Sequence, residues 1–129
     1  MQKFHLIKYQ TFLIVVSITF FIYLIGLEFI SPQNQDWIYS GDLSVYQIGW
    51  QYFRNDIWRF PLGLNPNFGI YAGGSIVFSD SIPILSIFFK LIKSYLPTNF
   101  QYFSIWILIS IFLQLFISYL IFFKFTKNY

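Results

Sequence analysis

The sequence predicts an all-α membrane protein: two transmembrane helices joined by an external loop that carries two interfacial amphipathic helices. Three observations lead there. Of the 129 residues, 57% are hydrophobic and only 10% charged, against roughly 25% charged in a typical soluble domain. Two long uncharged runs stand towards opposite ends of the chain. Lysines flank each run on its outer side, and aromatic residues crowd the stretch between them. A small domain keeps much of its surface in water, so this much apolar surface calls for lipid.

The first run extends from Tyr9 to Leu27, about 19 residues or 28 Å as a helix, close to the thickness of a hydrocarbon core. A basic start followed by an apolar stretch also describes a signal peptide. The exit Leu24-Ile25-Gly26-Leu27-Glu28-Phe29 lacks the small-x-small pair of a cleavage site, so a retained anchor over residues 9–30 is expected. The second run follows Lys93 and stays uncharged to Phe123. Its core, residues 100–123, spans with some tilt. Gln114 interrupts it, and an amide near mid-membrane either seeks another helix or stands as a single tolerated polar group.

Orientation follows from basic residues near the spans. Lys3 and Lys8 precede the first span, and Lys124 and Lys127 follow the second. Both flanks are therefore expected in the cytoplasm (a leader over 1–8 and a tail over 124–129), with residues 31–99 outside.

Within that loop, Leu43, Tyr46, Trp50, Phe53 and Ile57 recur at helical spacing, with Gln47, Gln51, Arg54 and Asn55 on the other side. This predicts an interfacial helix over about residues 42–58, started by Asp42 and ended before Pro61. Gly63, Pro66, Gly69, Gly73 and Gly74 then predict an irregular connection. Asp80 or Ser81 as N-cap and Pro83 in the first turn predict a second helix over about 82–95. It is too short to cross, and Ser86, Lys90, Lys93 and Ser94 form its narrow polar stripe.

Several chemistries are excluded. The chain has no cysteine and one histidine, His5, so thiolate chemistry and a histidine-rich metal site are absent from the sequence. No Gly-rich phosphate loop with its lysine occurs. No dense basic patch points to nucleic acid. What remains is a small set of charges in the loop. Asp42 and Asp80 each stand at a predicted helix start, where capping is the simpler role and a general base, or a carboxylate holding a divalent cation on a diphosphate, is the other. Asp56 suits an ion pair with Arg54 or Arg59. Arg54, Arg59, Lys90 and Lys93 could hold lipid phosphate or simply snorkel to the headgroups.

The stretch Gly41-Asp42, then Gly49-Trp50-Gln51-Tyr52-Phe53-Arg54-Asn55-Asp56-Ile57-Trp58-Arg59-Phe60-Pro61-Leu62-Gly63, carries a resemblance. It continues in Phe78-Ser79-Asp80-Ser81-Ile82-Pro83-Ile84-Leu85 and in Phe100-Gln101-Tyr102-Phe103-Ser104-Ile105-Trp106. Together these resemble the N-terminal part of an uncharacterised family of bacterial polytopic membrane proteins. That family is in turn similar to C-type glycosyltransferases, which use polyprenyl-phosphate-linked sugars. The resemblance implies a catalytic aspartate just before the first external helix, where Asp42 stands, with Asp80 a weaker counterpart. It also implies further transmembrane helices and a polyprenyl-linked sugar as partners. Two helices cannot enclose a lipid-linked donor, so this chain is expected to be one piece of a larger protein, inactive by itself. A small non-enzymatic membrane subunit is the alternative expectation.

Overall fold

A computed structural model describes residues 2–39, 41–69, 73–79 and 82–126, with side chains from Tyr9 onward. The described residues are mostly helical. Helix α1 covers Gln2–Leu24, α2 Leu43–Asn55, α3 Pro83–Leu91 and α4 Phe103–Thr126; β1 (Leu64–Asn65) and β2 (Gly74–Ser75) make a two-residue ladder. The chain divides into two compact units, one made of residues 1–32 and 103–129, the other of residues 33–102.

In the first unit, α1 and α4 lie against each other. Leu13, Ser17 and Phe21 are the buried positions of α1, spaced four apart as one helical stripe. The Ser17 hydroxyl donates to the Leu13 carbonyl at 2.7 Å, so it adds no unsatisfied group to the seam. Tyr9 stacks on Tyr119 of α4 with ring centres 5.5 Å apart. The expected first span over residues 9–30 is corrected at its end. The helix stops at Leu24 and a short 3-10 turn follows over Leu27–Ile30. Gly26 between them has φ +113°, a conformation that no helix accommodates and that glycine adopts without steric penalty. The hydroxyl of Ser104, the second residue of α4, donates to the Phe29 carbonyl and anchors this turn.

Among the described residues, one helix is long and apolar enough to cross a membrane: α4, with 24 residues and a mean hydropathy of 2.4 over its most apolar window, of which only 6% is buried. The apolar part of α1, Tyr9–Leu24, is shorter. These features point weakly to membrane association.

The second unit is built around aromatic rings. Trp50 and Tyr102 are fully buried and meet edge to face at 5.2 Å. Phe89 stacks on Tyr102 at 5.7 Å and tilts against Phe100 at 4.9 Å. The Trp50 indole donates to the Phe100 carbonyl at 3.2 Å. The connection between α2 and α3 is ordered by the β1–β2 ladder, which pairs Leu64 with Ser75 and Asn65 with Gly74. Gly73 has φ +63°, and a Cβ there would stand 2.9 Å from the Pro66 Cα, so conformation and space both require glycine. At Gly49 the reason is space alone: a Cβ would fall 2.4 Å from that of the buried Ser79. Asn65 donates its side-chain amide to the Gly49 carbonyl at 3.0 Å and ties the ladder to α2. Asn99 donates to the Gln33 carbonyl at 2.9 Å, joining the two ends of the unit.

Candidate functional site

Both loop helices form, each shorter than its sequence pattern predicts. α2 ends at Asn55 rather than near Trp58, because Asp56 is extended at ψ 164° and its carboxylate takes the Ile57 N–H at 2.8 Å. α3 gives way after Leu91 to a 3-10 turn over Lys93–Tyr95. Pro83 stands in the first turn of α3 as expected.

The caps differ from the expectation. Asp42 precedes α2, but its backbone is helical (φ −66°, ψ −25°) and its side chain caps nothing. A capping carboxylate needs an extended backbone to reach back to the N2 or N3 amide. Here Ser44 instead donates its hydroxyl to the Gly41 carbonyl at 2.7 Å. Asp42 is left exposed at the head of α2. Asp80 and Ser81 lie outside the described residues. The residue at the N-cap of α3 is Ile82, whose N–H donates to the Tyr102 hydroxyl at 3.2 Å. That hydroxyl also pairs with Ser86 at 2.7 Å. A tyrosine twenty residues away in sequence therefore holds the chain at the entrance of α3 without capping the helix, and periodicity carries no signal for such a contact.

The polarity of α3 is inverted relative to the expectation, and the buried face of α2 is mixed. On α2 the buried residues are Gln47, Gly49, Trp50, Phe53 and Arg54, whereas Leu43, Val45, Ile48 and Tyr52 are exposed. On α3 the polar stripe faces inward. Ser86 and Lys90 are 0% and 1% exposed, while Ile84, Phe88, Leu91 and Tyr95 are 81%, 52%, 67% and 90% exposed. Hydrogen-bonding side chains thus share the interior with the aromatic rings, and the apolar face of α3 lies at the surface.

The four cations do not form one exposed patch. Arg54 is buried, and its guanidinium donates to the carbonyls of Thr98 and Leu96 at 3.1 and 3.0 Å; burial lowers its pKa from the ordinary arginine value. Lys93 donates to the Arg54 carbonyl at 3.2 Å. Lys90 donates to the Ile57 carbonyl at 3.2 Å, with its ammonium 3.9 Å from the centre of the Phe53 ring and 4.8 Å from that of Trp58. Arg59 pairs with Asp56 at 2.8 and 3.2 Å. Arg54, Lys90 and Lys93 thus clamp the end of α2 to α3 and the segment after it, and Arg59 alone of the four is exposed. The hydrogen bond from Arg59 holds the Asp56 carboxyl below the usual range, helped by the Ile57 amide and opposed by burial.

Burial lowers the Lys90 pKa from its ordinary 10.5, against the pull of Asp56 and with the repulsion of Lys93 and Arg59. Between its lowered value and 10.5 the unfolded chain binds the proton more tightly, so stability rises with pH across that window. Thermal melts followed by tryptophan fluorescence are expected to show Tm rising as the pH climbs through that window towards 10.5. Lys90→Met, of similar volume, is expected to flatten that slope. A slope unchanged in the methionine variant would assign it to another group.

One polar cleft of about 580 Å³ lies on the second unit, lined by Gln51, Tyr52, Asn55, Asp56 and Asn67. Amides supply both donors and acceptors, so the cleft suits an uncharged hydrogen-bonding ligand; the Asp56 carboxylate is already engaged by Arg59. Asp42 does not line it. No group of three or more His, Cys, Asp or Glu residues that could hold a metal occurs among the described residues.

No curated protein and no solved structure matches the chain. The profile described as Domain of unknown function (DUF6311) matches residues 14–129. That is most of the sequence, and the chain belongs to this uncharacterised family.

Proposed function

We propose that this chain is a two-span membrane module, with α1 and α4 crossing the bacterial inner membrane, both termini in the cytoplasm and residues 31–99 at the external surface. The inverted polarity of α3 supports this reading. A helix that buries Ser86 and Lys90 and exposes Ile84, Phe88 and Leu91 suits an apolar medium. In water such a surface marks a membrane or partner contact. Tyr95 in the 3-10 turn after α3 and Tyr52 on α2 suit the headgroup level, where ring and hydroxyl are both satisfied.

Within a longer polytopic protein, the module serves glycosyl transfer from a polyprenyl-phosphate-linked sugar. The motif resemblance supports this, as does the carboxylate of Asp42, exposed at the head of α2 with no cap to make. The clamping of Arg54, Lys90 and Lys93 into backbone contacts favours a second reading, a non-enzymatic membrane subunit whose loop cations serve structure.

Thiol labelling of a chain without cysteine tests the membrane reading. Single cysteines replacing Gln2, Asn67 and Asn128 are expected to react with a membrane-impermeant reagent in intact cells only at position 67. A fluorophore on Leu91→Cys is expected to be quenched by a nitroxide carried on lipid near the headgroups. Labelling at 128 in intact cells would overturn the two-span topology. An unquenched fluorophore at 91 would overturn the interfacial placement of α3.

A further inference from the structure

Helix α4 carries one amide where a membrane offers it nothing. Gln114 is at the middle of Phe103–Thr126, and its side chain is exposed. The face of α4 turned towards α1 is marked by Leu108, Ile109 and Phe112, which share an apolar groove with Ile14, Ser17 and Ile18, and by Tyr119. At about 100° per residue, Gln114 points well away from Phe112 and Tyr119. Ser110 and Ser118, one turn to either side, share its face. No hydrogen bond reaches the Gln114 amide from the described residues.

If α4 spans the membrane, which is the reading proposed above, this amide stands near mid-depth, where hydrocarbon supplies neither donor nor acceptor. Another helix is the partner that removes the penalty, and amides and hydroxyls are the side chains that do so. An amide holds two donors and an acceptor, so it is complementary to a copy of itself. A second copy of the same chain, inserted in the same orientation, necessarily carries its own Gln114 at the same depth. A two-fold contact then lets each amide donate to the other. The flanking serines are small enough to let two helices approach closely.

We infer that α4 self-associates through a parallel two-fold seam formed by Ser110, Gln114 and Ser118, with the paired Gln114 amides at its centre.

Oxidative cross-linking of the full chain in membranes tests this. Ser118→Cys is expected to give disulfide-linked dimers at least tenfold faster than Leu120→Cys, which is exposed like Ser118 but lies on another face. Adding Gln114→Leu is expected to reduce Ser118→Cys to the rate of the control, and Gln114→Asn to retain most of it. Equal rates at 118 and 120, or a rate at 118 indifferent to Gln114→Leu, would overturn the seam. A charged maleimide applied to opened membranes separates the two readings. If it reacts freely at position 118, α4 does not span and the dimer falls with that reading. If the thiol is shielded and no dimer forms, the dimer alone is refuted.

Discussion

Asp42→Asn is expected to lower glycan output by about two to four orders of magnitude in a longer protein built on this module, the contribution typical of a positioned general base. Protein abundance is expected to stay at the wild-type level. The geometry sharpens the comparison with alanine. A capping aspartate loses about 1 kcal/mol on change to alanine, but Asp42 makes no cap hydrogen bond and its backbone is helical. Asp42→Ala is therefore expected to match Asp42→Asn in both readouts: full abundance and lost activity. Transfer of a radiolabelled sugar from a polyprenyl phosphate to membrane acceptors, beside immunoblots of the same membranes, reads both. Wild-type transfer with asparagine would remove the residue on which the enzymatic reading leans and leave the subunit reading in its place.

Arg54→Met is expected to be the most damaging of the structural changes in residues 33–102. The guanidinium bridges the carbonyls of Leu96 and Thr98 and so fixes the segment that leads from α3 towards Phe100 and Tyr102. Each buried carbonyl left without a donor costs about 1–3 kcal/mol, so the loss is about 2–4 kcal/mol after partial resolvation of the exposed Thr98. Arg54→Lys is expected to recover only part of it, because an ammonium cannot fork to two carbonyls as a planar guanidinium does. Denaturation followed by the fluorescence of Trp50, whose indole donates to the Phe100 carbonyl, reports directly on this segment. A methionine variant within about 0.5 kcal/mol of wild type, the range of ordinary surface changes, would show that Arg54 is dispensable.

These two residues also mark how far the sequence could be read. The position of Asp42 at the head of a helix was legible, because a run of apolar residues at helical spacing begins beside it. Its failure to cap was not, because capping depends on one pair of backbone dihedrals that composition does not reveal. Arg54 was legible as a polar residue, but its expected place opposite Leu43 and Ile57 fails: at about 100° per residue it falls about 20° from Leu43, on the face that buries Gln47, Trp50 and Phe53. Its partners lie more than forty residues away, and no local pattern points to them.

The sequence by itself determined the apolar helix, expected over residues 100–123 and found over Phe103–Thr126, the apolar stretch of α1, the two short helices between them and the glycine-rich connection that follows Pro61. These follow from run length, spacing, and the local demands of proline and glycine. It also determined the exclusion of cysteine chemistry. Only the tertiary structure decided which stripe of α2 and α3 faces inward. Periodicity divides a helix into a polar and an apolar face, but it does not say which medium lies outside. In residues 33–102 the side chains of Trp50, Phe53 and Tyr102 are buried together with Arg54, Lys90 and Ser86, which bond to Leu96 and Thr98, to Ile57 and to Tyr102. A buried polar group without a partner costs more than an exposed apolar one, so the contacts of Ser86 and Lys90 set the orientation of α3. Helix α2 turns inward a face on which aromatic and polar side chains mix, and Gln47 on that face has no hydrogen-bond partner among the described residues.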